Sequence, residues 1–341
     1  MAADVLVATA PTRVDLAGGT LDLHPLFLFL ERPLTVNASL DLRSRAEVRP
    51  LPGSRVRLVS EDLGLEVEAE HPEALALGES LDLLARAVRF YAPAGGLEVR
   101  TRSSAPKGSG LGASSSLLMS LSRALGRFSG RDDSDEDIIR FGAALEAQNL
   151  GIPTGLQDYY GAILGGINGI RFGVAGNRVE RLGPSPEFRD ELDRAVVLSF
   201  TGVSHFSGTS NWNMLKRYIE RQGDTVQRMH AIEDTAHQMW AALRAESLVD
   251  VARALNREWE NRRGLAEGVT TPEIDRMVAS AAEAGALASK ICGAGGGGCL
   301  LTLARPDRRA AVEEALRQAG AEILKARLDD QGLRVEEAVR A

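Results

Sequence analysis

Residues 107–116 read KGSGLGASSS, with three glycines at alternate positions and four hydroxyl side chains. The apolar run LLMSLSRAL follows at once, at 117–125. A flexible linker would not start an amphipathic helix, yet Leu117, Leu118, Leu121, Leu125 and Phe128 recur at three- and four-residue steps. The stretch therefore lies between a strand, LEVRTR at 97–102, and a helix start. Backbone N–H groups there, freed of Cβ crowding at Gly110 and Gly112, form an anion cradle reinforced by about half a positive charge. It is not a Walker loop, which needs Lys and then Ser or Thr directly after the last glycine. Nor is it G-x-G-x-x-G, because the glycines fall at 108, 110 and 112.

The 341 residues are 44% hydrophobic and 26% charged, the balance of a globular protein large enough for one big domain or two ordinary ones. A net charge of −7 with no basic tract argues against a nucleic-acid partner. HPLFLFLE at 24–31 is too short to cross a bilayer and sits too late for a secretory signal, so no membrane partner and a cytoplasmic location are expected. Cys292 and Cys299 have neither disulfide-framework nor metal spacing and read as reduced and structural. His230, Glu233 and His237 lack the H-E-x-x-H pattern and read as solvated helix residues. Oligomeric state is not encoded legibly; a homodimer stays open.

Period-two alternation in SLDLRSRAEV at 39–48 predicts a half-buried strand, and RVRLVSED at 55–62, across the turn PLPGS, predicts its hairpin partner. Helices are expected near 79–92, from the glycine stretch to about Gly130, and across DDSDEDIIRFGAALEAQNLG to Gly151. AILGGINGIRF at 162–172 reads as buried strand and turn. GPSPEF at 183–188 shifts composition and marks a boundary, giving units 1–185 and 186–341. In the second unit, AVVLSFTG is a strand, 210–285 is largely helical, and GCLLTLA, a helix from Pro306 and AEILKARL form a β-α-β unit. The fold class is α+β in two lobes.

Two further segments are glycine-rich or glycine-paired: APTRVDLAGGTLDLHP at 10–25 and KICGAGGGGCLLTLA at 290–304. With the stretch at 107–115 they resemble, in order, the three motifs of the GHMP kinase superfamily, with the third matched in full from Gly293 to Cys299. The resemblance spans nearly the whole chain and is nearest to the sugar-kinase branch. It implies an N-terminal lobe like domain 2 of ribosomal protein S5, a ferredoxin-like C-terminal α/β sandwich, and ATP and Mg²⁺ as cofactors.

Carried over by position, the resemblance implies that Lys107, Gly108, Ser109, Gly110, Leu111, Gly112, Ala113, Ser114 and Ser115 cradle the triphosphate. Ala113 departs from the family's serine at that place. Ser114 and Glu146 would hold Mg²⁺, Asp158 would be the catalytic aspartate, and Arg13 would face the transferring phosphate. Asp22, Thr20 and His24, with Gly295 and Gly296, fall on the acceptor side. The chemistry is coherent: phosphoryl transfer needs a cation on the phosphates, a carboxylate to hold it, and a positioned acceptor hydroxyl. Taken singly, Glu146 also reads as a solvated helix residue, and Asp158 as a helix cap.

FTGVSHFSGTSNWNMLKR at 200–217 and GLQDYYGAILGG at 155–166 resemble segments of kinases acting on heptose or heptose phosphate. A polar pocket for a polyhydroxylated acceptor would add Ser207 and Thr209, although both suit capping of the following helix equally well. The expected partner is a small sugar or sugar phosphate. A mevalonate-pathway kinase and a non-catalytic ATP and sugar sensor are the alternatives; a dinucleotide oxidoreductase is disfavoured by the glycine spacing.

Overall fold

The computed structural model describes residues 5–203 and 207–338, with side chains placed outside 207–210 and 337–338. The strands are β1 (Val5–Ala17), β2 (Leu34–Leu51), β3 (Val56–Ser60), β4 (Leu65–Ala69), β5 (Gly96–Ser103), β6 (Ile167–Arg171), β7 (Arg178–Leu182), β8 (Val196–Phe200), β9 (Ala286–Ile291), β10 (Cys299–Ala304), β11 (Glu322–Leu324) and β12 (Arg334–Ala338). The helices are α1 (Asp82–Tyr91), α2 (Ala113–Phe128), α3 (Asp135–Leu150), α4 (Gln157–Leu164), α5 (Pro186–Ala195), α6 (Ser207–Ile219), α7 (Thr225–Arg244), α8 (Leu248–Arg262), α9 (Pro272–Glu283) and α10 (Arg309–Gln318).

The first lobe is an eight-stranded sheet ordered β12-β1-β2-β5-β3-β4, with β6 and β7 continuing from β2. The alternating strand over 39–48 is present within β2, but its expected hairpin with 55–62 is not. β5 enters between them, antiparallel to β2 and parallel to β3, and β3 instead makes a hairpin with β4. Alternation specifies which face of a strand is buried and leaves its neighbour open. The turn at 52–55 is held wide by β5 itself, through Gly96 N–H to Gly53 O at 2.7 Å and Leu97 N–H to Arg55 O at 2.9 Å. Likewise Ala162–Leu164, expected as strand, ends α4, and Gly165 at φ +66° turns the chain into β6.

Helices α1 to α4 bury their apolar stripes against this sheet. Leu118, Leu121 and Leu125 of α2 are fully buried, each contributing about 1.5–3 kcal/mol of transfer free energy. α3 starts where Ser134 accepts from the Asp137 N–H at 3.1 Å and stops at Gly151, φ +70°. The second sheet is ordered β11-β8-β10-β9, all antiparallel, so β10 and β11 run parallel on either side of β8 with α10 connecting them. That is the ferredoxin-like split β-α-β, as expected. The change of sheet falls at Ser185, which caps α5, yet the final strand β12 returns to pair with β1.

The lobes share a core, in which Val14, Leu34 and Leu111 pack with Trp240, Leu255 and Leu301. They also interlock by backbone. A Cβ on Gly110 would lie 2.5 Å from the Cys292 carbonyl oxygen, and one on Gly293 would lie 3.0 Å from the Gly110 Cα. The Cys299 N–H bonds Ser109 O at 2.7 Å, and a Cβ on Gly298 would meet that same oxygen at 2.7 Å. The second and third glycine segments are therefore two halves of one joint.

Gly110 and Gly53 both hold positive φ, +73° and +76°, but Gly53 has nothing within 4 Å of where its Cβ would be. Gly53→Ala should lose only the backbone strain, about 1–2 kcal/mol. Gly110→Ala should lose clearly more, because the clash adds to the strain. Urea denaturation of the two variants measures the difference; equal losses would contradict the joint.

Candidate active site

β1 delivers the first groups. Its residues 13 and 15 are two apart, so both side chains leave the same face, toward the glycine joint. Arg13 is buried; its Nε donates to Asp158 Oδ1 at 2.7 Å, its Nη2 lies 2.5 Å from the same oxygen, and its Nη1 donates to Gly110 O at 2.6 Å. Its own N–H bonds Leu111 O at 2.9 Å. One arginine thus ties the glycine turn to the aspartate. Burial opposes charge on Arg13, but Asp158 and Asp15 outweigh it and its pKa rises. Asp158 sits in the first turn of α4 and is not its cap, because Leu156 holds that place. Burial raises the Asp158 pKa despite the adjacent guanidinium. A carboxylate with raised proton affinity is suited to taking a proton.

Glu146 projects from α3 and is 5% exposed, which excludes the solvated-helix reading. Its Oε2 accepts from Ser115 Oγ at 2.8 Å and Tyr159 Oη at 2.7 Å. Burial raises its pKa, and the hydroxyls of Tyr159, Ser114 and Ser115 oppose that rise. Ser114, the expected metal-holding serine, is exposed at the cleft wall, whereas Ser115 makes the direct bond to Glu146.

These groups line a cleft of about 160 Å³ with Gly108, Ser109, Gly110, Gly112, Ala113, Asp22, Thr20, Gln157, Arg262, Gly293 and Ala294. Asp22 is buried, accepts the Gln157 N–H at 2.9 Å, and is pushed up by burial to about 6. The joint spaces the cleft tightly: a Cβ on Gly112 would lie 3.0 Å from Asp158 Oδ2, and one on Gly155 would lie 2.5 Å from Asp22 Oδ2.

Not every expected residue is here. His24 is exposed and packs edge-on to Phe27, outside the cleft lining. Gly295 and Gly296 also lie off the lining: a Cβ on Gly295 would meet Val269 O at 2.4 Å, and the Gly296 N–H bonds that oxygen at 2.8 Å. Their glycines answer to close backbone packing, not to an acceptor contact. Leu111 is fully buried and contributes only its carbonyl. Lys107 is exposed and lines a second cavity instead, of about 340 Å³, with Leu81, Ala105, Leu117 and Asn149. Gly108, Ala113 and Ser114 line both cavities. The side chains of Ser207 and Thr209 lie outside the described residues.

The sequence reading missed a buried quartet. Lys290 Nζ lies 2.9 Å from Asp15 Oδ2 and 3.0 Å from Glu258 Oε2, while Arg262 Nη2 lies 2.6 Å from Glu258 Oε1 and 3.6 Å from Asp15 Oδ2. All four are at most 1% exposed. Burial pushes the Asp15 carboxyl up, but Lys290 and Arg262 outweigh it and hold its pKa below the usual value. Two acids against two bases leave the quartet neutral. Beyond it, the cleft lining among the described residues holds the carboxylates Asp22, Glu146 and Asp158 against the single cation Arg13. That excess of buried negative charge, with all-oxygen donors at Glu146, Ser114 and Ser115, fits a small hard cation such as Mg²⁺. Among the described residues no three His, Cys, Asp or Glu side chains converge as a complete metal site, so phosphate oxygens would have to finish the shell.

The GHMP kinases N terminal domain profile matches residues 76–166, and the GHMP kinases C terminal profile matches 239–322. The D-glycero-alpha-D-manno-heptose 7-phosphate kinase of Campylobacter jejuni is 27% identical over 90% of this chain and 92% of its own. A mevalonate kinase of Pyrococcus furiosus is 26% identical over 98% of this chain and 99% of its own. Among solved structures, a D-glycero-D-manno-heptose 1-phosphate kinase from Bacteroides thetaiotaomicron superposes with TM-score 0.80 at 24% identity, over 98% of this chain and 100% of its own, which is agreement of fold. No described helix is long and apolar enough to cross a membrane.

The raised Asp22 pKa has a thermodynamic consequence. Above about pH 6 the carboxylate is ionised in both states and the folded state bears the burial cost. Below the unfolded pKa near 3.8 both states are protonated and the cost vanishes. Asp22→Asn should therefore unfold at higher denaturant than the native chain near neutrality, by on the order of 2 kcal/mol. The gap should shrink as pH falls through the window from 6 to 3.8. A gap independent of pH would contradict a desolvated Asp22.

Proposed function

The chain belongs to the GHMP kinase family, and from that premise we propose that it transfers the γ-phosphate of ATP to a hydroxyl of a sugar or sugar phosphate, most specifically a heptose phosphate. The observation that carries this reading is one glycine turn standing between two cavities, a larger one with a leucine-rich side and a smaller polar one. The larger, lined by Leu81, Leu117 and Ala105, suits a nucleoside. The smaller is polar and acidic and suits an acceptor. A triphosphate laid across Gly108 to Ser114 would meet the N-terminus of α2, where unpaired N–H groups favour anions.

In this reading Arg13 faces the transferring phosphate and stabilises charge that develops there. Asp158 Oδ2 takes the proton of the acceptor hydroxyl as its oxygen forms a bond to the γ-phosphorus. The bond from that phosphorus to the β–γ bridging oxygen breaks, and ADP leaves. Glu146, oriented by Tyr159 and Ser115, and Ser114 would hold Mg²⁺, which when bound offsets charge on the phosphate oxygens.

Asp22 would accept hydroxyls of the acceptor at the cleft floor. The floor favours a polyol over a carboxylate-bearing acceptor such as mevalonate. Arg262, the lining cation besides Arg13 among the described residues, is neutralised within the quartet, and Asp22 would repel a carboxylate on the acceptor. A phosphate on the acceptor would stay at the mouth. The units 1–185 and 186–341 would then divide nucleotide binding from the wall that closes on it.

Coupled ADP release over heptose 7-phosphate, galactose, fucose, mevalonate and homoserine tests the substrate class. Turnover of the heptose phosphate or another sugar is expected, and turnover of mevalonate alone would overturn the reading. Asp158→Asn should lower kcat by roughly 10²–10⁴ with ATP affinity close to native. Native single-turnover transfer in that variant would remove Asp158 from the chemistry.

A further inference from the structure

Thr20 has φ +73°, in the left-handed region. Among the described residues the other non-glycines with positive φ are Leu81, Ala92, Arg221 and Glu246, all at or beside helix ends. Thr20 alone of these is β-branched, the type that least tolerates this conformation, and it alone lines the acceptor cleft. Something must hold it there.

The holder is visible. Arg262 Nη1 donates to Thr20 Oγ1 at 3.1 Å and Nη2 donates to Gly19 O at 2.7 Å. Nε donates to Glu258 Oε1 at 2.8 Å. Gly19 has no room for a side chain, since a Cβ would lie 2.3 Å from Asp15 Oδ2 and 3.0 Å from Arg262 Nη2. The guanidinium is therefore a fork with its base in α8 and its prongs on the turn after β1. That turn is closed by Leu21 N–H to Gly18 O and Leu23 N–H to Thr20 O, at 3.2 and 3.1 Å, and Asp22 lies between those two donors.

We propose that Arg262 is a positioning residue for the acceptor: it holds Thr20 in its left-handed conformation and so fixes where the Asp22 carboxylate stands in the cleft. The inference rests on the acceptor-side reading of Asp22 given above. The quartet anchors this hold: Lys290 Nζ sits between Asp15 Oδ2 and Glu258 Oε2, Arg262 is seated on Glu258 Oε1 through Nε, and its Nη1 and Nη2 reach the turn. Lysine cannot replace it, having a point charge where the turn requires a planar fork.

Three variants test this: Arg262→Lys, Thr20→Ala and the double variant Arg262→Lys with Thr20→Gly. Two readouts are followed, KM for heptose 7-phosphate and for ATP, and amide hydrogen exchange at Leu21 and Leu23. Arg262→Lys and Thr20→Ala should each raise the acceptor KM about tenfold, the factor expected for one lost hydrogen bond to a charged group, with ATP KM unchanged. Both should speed exchange at Leu21 and Leu23. Glycine at 20 adopts positive φ without steric cost, so the double variant should recover both readouts toward native. Thr20→Ala leaves the quartet's charges in place and so keeps the test open should Arg262→Lys not fold.

Unchanged exchange in the single variants, an ATP KM that rises as much as the acceptor's, or no recovery in the double variant would overturn the proposal. If the native chain does not use heptose 7-phosphate while exchange responds as stated, the substrate reading fails and the positioning role stands.

Discussion

The backbone contact between Gly110 and the Cys292–Gly293 peptide is the constraint from which the rest of the site follows. Two chain segments separated by 182 positions touch with no side chain between them, and a single methyl group at 110 would force them apart. The approach lets Ser109 O receive the Cys299 N–H and Arg13 reach Gly110 O and Asp158 at once. The glycine turn, Asp158 and Asp22 are then within one small cleft, as the proposed phosphoryl transfer requires. Loosening the joint would separate functions that work only when close.

Charge is arranged with similar economy. The quartet of Asp15, Glu258, Lys290 and Arg262 is buried and internally neutral, and it joins β1 to α8 and β9. Replacing such a cluster by apolar side chains often costs little stability, so its worth lies in geometry more than in binding the lobes together. The three carboxylates outside it remain undercompensated by Arg13 alone. A divalent cation would offset that charge, in keeping with the demands of the proposed phosphoryl transfer.

Much of this was legible in the sequence because glycine is informative where backbones must touch or turn left-handed. The run at 107–116, the helix after it and the β-α-β unit of the second lobe follow from glycine placement and hydrophobic period, whereas the ferredoxin-like form of that lobe came from the family resemblance. What escaped did so for identifiable reasons. Alternation in 39–48 and 55–62 was real, but nothing local told that β5 would intrude. Glu258 and Arg262, four apart on one helix, have the spacing of an ordinary surface ion pair, and only packing against β1 buries them. Gly295 and Gly296 belong to the right motif and serve its packing against Val269. His24 is two residues from Asp22, and the turn that buries one exposes the other. Asp15 was within reach of the pattern in RVDLAGG, since period two places it beside Arg13 on the strand.

The most direct test of the central claim is a crystal structure with a non-hydrolysable ATP analogue, Mg²⁺ and heptose 7-phosphate. The triphosphate should lie across Gly108 to Ser114, the metal at Glu146, and an acceptor hydroxyl between Asp158 and the γ-phosphorus. A nucleotide bound elsewhere, with the cleft beneath the glycine joint still open to solvent, would contradict the account.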